Sequence, residues 1–175
     1  MDIIHTIKSI FSTVKNIKTD YSKIYYIFEE PINIIDNLYC CSEFNYNNKC
    51  VINDYNFKNI IYVGLVDNVP IISPNSKYYN IKLDLKNIDE IKILEYVELI
   101  NKLQLIDNPD SDEKDNIMLY SDSIDKIHFI LICLLVCKYN FTIKKAIRFL
   151  EKTFKLKKNT IKLDDRTIKI ISYFT

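Results

Sequence analysis

The chain has 175 residues, 48% of them hydrophobic, with 13 Tyr and 9 Phe, which is enough to enclose one core and argues against disorder. Its formal net charge of +1 supplies no overall field for nucleic acid or a membrane surface, so neither is expected as a partner. A single glycine, Gly64, rules out the glycine-rich loops by which P-loop and dinucleotide-binding proteins bring backbone against phosphate.

In chain order, Met1 to about Lys18 has helical periodicity. Ile3, Ile4, Ile7, Ile10, Phe11, Val14 and Ile17 make one apolar face, with His5 at its edge. This face must pack on its own domain or on a partner subunit. The expected organisation is therefore an N-terminal helix over residues 1–20 and a domain over 21–175. Tyr21 to Glu30 is a mixed connector ending at Pro31, and Ile32–Ile35 with Asn37–Cys40 alternates as a short hairpin. Glu43 to Asn48 suits a short helix or turn, whereas Val51 to Tyr55 carries no decisive pattern. Asn59–Leu65 has the continuous apolar character of a buried strand, Asp67–Pro70 is a turn, and Tyr78–Leu85 alternates as a strand.

Ile91, Leu94, Val97, Ile100 and Leu103 mark a helix over Ile88–Leu105, followed by an Asp-rich solvated loop through Asp115. Ile117–Tyr120 is a further strand, and a polar turn leads to an apolar helix over Ile127–Lys138. Thr142 caps a helix reaching about Leu156, and Asp164 or Asp165 caps a last one through Ser172. Strands followed by alternating helices and strands specify an α/β domain of three layers, a mixed sheet between helices.

All but two of the 24 basic residues are Lys, the exceptions being Arg148 and Arg166. With the many Ile, Asn and Tyr, this bias fits an AT-rich genome, viral or protozoan. The five cysteines are odd in number and include no C-x-x-C pair, which points to a reducing compartment. Cys133 and Cys137 are one helical turn apart, as metal ligands could be, but their apolar surroundings make them core residues; no metal or cofactor is expected. The same apolar run is too short to span a bilayer.

A strand entering a helix through a tight turn is a ready-made phosphate cradle, because unsatisfied N–H groups converge at the helix start. Here that segment is Asn116-Ile-Met-Leu-Tyr-Ser-Asp-Ser-Ile-Asp-Lys-Ile-His128. Together with Ile35-Asp-Asn-Leu-Tyr-Cys-Cys-Ser42, Phe57-Lys-Asn-Ile-Ile-Tyr-Val63, Tyr79-Asn-Ile-Lys-Leu83 and Phe141-Thr-Ile-Lys-Lys-Ala-Ile-Arg-Phe-Leu150, it resembles, in order and spacing, the dual-specificity protein phosphatases. It is especially similar to a small poxvirus-type member with an N-terminal helix. The resemblance covers roughly residues 31 to 174 and implies the cysteine-dependent phosphatase fold.

The family's loop, H-C-x-x-G-x-x-R, is then replaced at each signature position. Tyr120 stands for the His, Ser121 for the nucleophilic Cys, Ile124 for the Gly, Ile127 for the Arg, and His128 for the hydroxyl that assists the leaving thiolate. Leu85 or Lys86 falls where the general-acid Asp belongs, with Asp84 and Asp89 flanking it. A serine hydroxyl is not ionised by a helix terminus as a thiol is. A β-branched Ile124 resists the positive φ that a Gly allows. Ile127 removes the bidentate anion clamp, and Asp122 and Asp125 bring negative charge to the place of a dianion.

The residues and the resemblance therefore imply an inactive phosphatase homologue, a pseudophosphatase, whose degenerate loop comprises Tyr120, Ser121, Asp122, Ser123, Ile124, Asp125, Lys126, Ile127 and His128. It would act as a protein-binding or structural module, inside an infected host cell or in the virion. The resemblance also implies a homodimer through Ile3, Ile7, Ile10, Phe11 and Val14. Two alternatives stand beside it. One is a residual phosphoester hydrolase or phosphate binder using Ser121 with Lys126 in place of the Arg; the other is an unrelated α/β adaptor. A hydrolase triad of His128 with Ser121 or Ser123 and an Asp is disfavoured, because its members lie on one short segment. Ser121, Asp122 or Ser123 is expected to cap the following helix.

Overall fold

The computed structural model describes residues 30–66, 69–88, 90–105 and 115–174. The N-terminal helix and its dimer residues Ile3, Ile7, Ile10, Phe11 and Val14 lie outside the described residues, as does Asp89.

Five strands, β1 (Ile32–Ile35), β2 (Leu38–Cys40), β3 (Phe57–Gly64), β4 (Lys77–Lys82) and β5 (Asn116–Ser121), form one sheet in the order β1-β2-β5-β3-β4. Only β1 and β2 are antiparallel, as the hairpin pattern predicts. Asp36, at φ 51, makes their tight connection. β5 lies in the middle, parallel to β2 on one side and to β3 on the other. Such a strand is covered on both faces, which is why Ile117 to Leu119 are all apolar and fully buried.

The strict alternation of strand side chains sorts β3 and β5 between two layers. Ile61, Val63, Ile117 and Leu119 face the larger core. Ile60, Tyr62, Met118 and Tyr120 face a smaller one with Cys41, Tyr46, Ile52 and Phe57. The smaller layer is roofed by two short helices, α1 (Glu43–Tyr46) and α2 (Lys49–Asp54). α1 is closed by a reciprocal capping box between Ser42 and Asn45, and α2 by the Asn48 side chain, which accepts from the amides of Cys50 and Val51.

The larger layer holds α3 (Glu90–Leu105), α4 (Ile124–Tyr139), α5 (Ile143–Thr153) and α6 (Asp165–Ser172). Every residue of α4 from Ile127 to Val136 is buried. A helix apolar on all sides has no solvent face to present, so it becomes the pillar around which the others pack. Cys133 is fully buried as expected, while Cys137 is only partly so. Asn140, at φ 53, closes α4 in the left-handed conformation, with the Phe141 amide returning to the Leu135 carbonyl. Thr142 and Asp164 cap α5 and α6 by accepting from Lys145 and Thr167 amides.

The sequence reading needs four boundary corrections. α5 stops at Thr153 rather than Leu156, because Lys155 takes φ 54. β4 stops at Lys82, leaving Leu85 in the loop beyond it, and α3 starts at Glu90. α4 begins a full turn before Ile127, at Ile124. Ile124 needs no positive φ there, since it simply takes helical geometry. Among the described residues no helix is long and apolar enough to cross a membrane.

Candidate functional site

The turn between β5 and α4 is the cradle position, and it is shorter than the family pattern implies. Ser121 ends the strand and Ile124 begins the helix, so Asp122 and Ser123 alone connect them. Ile124, Asp125, Lys126 and Ile127 form the first turn of the helix and are not loop residues.

Ser121 is buried at the end of β5, opposite Val63 of β3. Its hydroxyl donates to the Val63 carbonyl oxygen, and its Oγ accepts from the Ser123 amide at 3.1 Å. The Asp122 carboxylate also lies within 3.1 Å. Ser123 occupies the N-cap position, but its side chain makes no capping bond. Of the three capping candidates, Ser121 is the one that satisfies an amide of the turn.

Lys126 reaches back one helical turn to Asp122, with Nζ at 2.8 Å from Oδ1 and 3.2 Å from Oδ2. Burial alone would raise the Asp122 carboxyl. The Lys126 ammonium, with help from the Ser121 hydroxyl, outweighs this and holds it below the usual carboxylate range. Lys126, the candidate anion-binding cation of the sequence reading, is thus committed to a neighbouring carboxylate. Ile127 points into the core with no exposed surface.

His128 packs against Phe154, its ring edge-on with centroids 5.4 Å apart, and Nε2 has no hydrogen-bond partner among the described residues. Burial lowers its pKa to about 4, against the opposing pull of Asp125 and Glu151. It lines a pocket of about 350 Å³ with Leu85, Asp125, Thr160, Lys162 and Asp164. The residues do not assemble a triad. Asp84, the described flanking acid, is half-buried and turned onto its own loop. The Lys86 amide and the Asn87 side chain both donate to it, which lowers its pKa.

On the other side of the turn is a cleft of about 230 Å³, lined among others by Glu43, Tyr46, Tyr62, Tyr120, Ser121 and Asp122. Tyr120 stacks on Tyr46 with centroids 4.1 Å apart and planes 12° from parallel, and Tyr62 leans on Tyr120 at 5.1 Å. Gly64 makes room for this cluster, since a Cβ there would overlap the Tyr62 ring. Sequence reasoning singled out Tyr120 but missed Tyr46, Tyr62 and Glu43. The alternation of β3 and β5 could have placed Tyr62 beside Tyr120; nothing local announced Tyr46. Among the described residues, no group of His, Cys, Asp and Glu is arranged to hold a metal ion.

No family model and no curated protein matches the sequence. Solved structures do match the fold. A leucine-rich-repeat and phosphatase-domain protein from Entamoeba histolytica is 16% identical at a TM-score of 0.58, covering 83% of this chain and 90% of that one. Human DUSP28 is 7% identical at 0.64, covering 83% and 93%. The human tyrosine phosphatase-like serine/threonine/tyrosine-interacting protein is 10% identical at 0.63, covering 82% and 94%. The central position of β5 and the buried helix behind it agree with that likeness.

Proposed function

We propose that this chain, built on the dual-specificity phosphatase fold, is a pseudophosphatase that serves as a protein-binding module. The observation that carries this reading is the state of Ser121. Its hydroxyl proton is engaged by the Val63 carbonyl and its Oγ by the Ser123 amide, so it offers neither a thiolate-like nucleophile nor a hydroxyl poised for a base. Three further features support it. Ile127 supplies no charge, Lys126 is held by Asp122, and Leu85 or Lys86, neither an acid, falls where the resemblance puts the general acid. One structural neighbour is itself named phosphatase-like and an interacting protein. The Lys, Ile and Asn bias is compatible with an AT-rich viral genome, and in this reading the place of action is the interior of an infected cell or the virion.

The test is hydrolysis of p-nitrophenyl phosphate from pH 5 to 8. The expected result is no turnover above buffer. Turnover that disappears in Ser121→Ala or Lys126→Ala would instead establish the residual-hydrolase alternative.

A further inference from the structure

We infer that the cleft between α1 and the end of β5 binds the guanidinium side chain of an arginine on a partner polypeptide. The inference rests on the reading of the chain as a non-hydrolytic binding module, and it names the chemistry of the partner.

Volume comes first. At about 230 Å³ the cleft falls below the roughly 300–1,000 Å³ of ordinary small-molecule sites, but it can admit one long side chain. Charge comes second. Glu43 and Asp122 are the acids of its wall, Lys126 offsets the latter, and Glu43 projects an exposed carboxylate from the first turn of α1. An anion is therefore disfavoured in this cleft.

The third point is an unsatisfied polar atom. Tyr46 is only 3% exposed, yet its hydroxyl makes no hydrogen bond among the described residues. Its ring lies face to face with Tyr120, and the two hydroxyls are near enough to interact, but the contact falls short of hydrogen-bond geometry. A buried hydroxyl left in this state is costly and gains from a donor entering the cleft. The tyrosine cluster and the Glu43 carboxylate favour a cation. Arginine suits the set better than lysine, because its planar fork donates to several acceptors at once and packs against aromatic rings.

The experiment follows the Tyr46, Tyr62 and Tyr120 ring signals of the full-length chain by NMR during titration with N-acetyl-arginine-methylamide. The isosteric but neutral citrulline analogue and the acidic glutamate analogue serve as comparisons. Saturable shifts with the arginine probe alone are expected. Weakening should be about threefold in Glu43→Gln, as for an exposed ion pair, and about three- to tenfold in Tyr46→Phe, which deletes only the hydroxyl. Equal shifts with citrulline, stronger shifts with glutamate, or an unchanged affinity in Glu43→Gln would overturn the proposal. The same sample is assayed with p-nitrophenyl phosphate. Absence of arginine binding without turnover sinks the cleft and leaves the module reading standing. Turnover sinks both, because a working phosphate site selects anions.

Discussion

Lys126 and Asp122 close on each other across one turn at the start of α4, with the ammonium 2.8 Å from the carboxylate. The pair occupies the mouth of the turn between β5 and α4. With Lys126 only 13% exposed and Asp122 half exposed, it fixes the turn more than it stabilises the chain, since exposed i,i+4 pairs are worth about 0.3–0.5 kcal/mol. Lys126→Ala should therefore lower stability by no more than about 1 kcal/mol in urea unfolding. It should also raise the pKa of Asp122 by removing the cation that now lowers it, as read by carboxyl NMR titration.

Ser121→Ala removes the donor to the Val63 carbonyl and the acceptor for the Ser123 amide. Leaving both backbone groups unpaired in a buried turn should cost about 1–3 kcal/mol in urea unfolding. Ser121→Cys should leave hydrolysis at the buffer level, because neither an anion clamp nor a general acid accompanies the thiol.

Restoring the missing cation should fail. Ile127 is fully buried beneath the turn, and Ile127→Arg places an unpaired charge in the larger core. A loss of about 3–5 kcal/mol is expected, the range for an uncompensated buried charge. A folded variant of unchanged melting temperature that binds phosphate would contradict this packing.

His128 should make the fold acid-sensitive. Its pKa falls from 6.5 to about 4 on folding, chiefly through burial, with Asp125 and Glu151 opposing the shift. Between these values the unfolded chain binds the proton and the folded one does not, so stability is present above pH 6.5 and is lost as pH falls toward 4. From pH 7 to pH 5 the loss is on the order of 2 kcal/mol. His128→Phe should flatten the slope of urea midpoints over that interval.

The N-terminal segment is proposed to form a homodimer through Ile3, Ile7, Ile10, Phe11 and Val14. Light scattering coupled to size exclusion should give a dimer for the full chain and a monomer without residues 1–20. The same monomeric mass for both would remove the idea.

The central strand and the helix behind it were legible in sequence because each is an uninterrupted apolar run of the right length. Residues 49–54 were not, since a six-residue helix has too few positions to display a period and depends on the single cap from Asn48. The length of the 121–124 turn was also misjudged. The apolar pattern of the buried face begins only at Ile127, whereas the preceding turn is already helical but half-exposed. The tyrosine cluster was invisible as a unit because its members come from α1, β3 and β5, and only the folded sheet brings them together.

The middle place of β5 has a consequence for how the molecule comes into being. Its two neighbours, Leu38–Cys40 and Phe57–Gly64, are synthesised long before it and do not pair with each other. Until Asn116–Ser121 slots between them, each shows a bare row of amides and carbonyls to any passing chain. The strand that carries the altered turn is thus also the keystone of assembly, and a nascent polypeptide halted before it would be sticky rather than half-built.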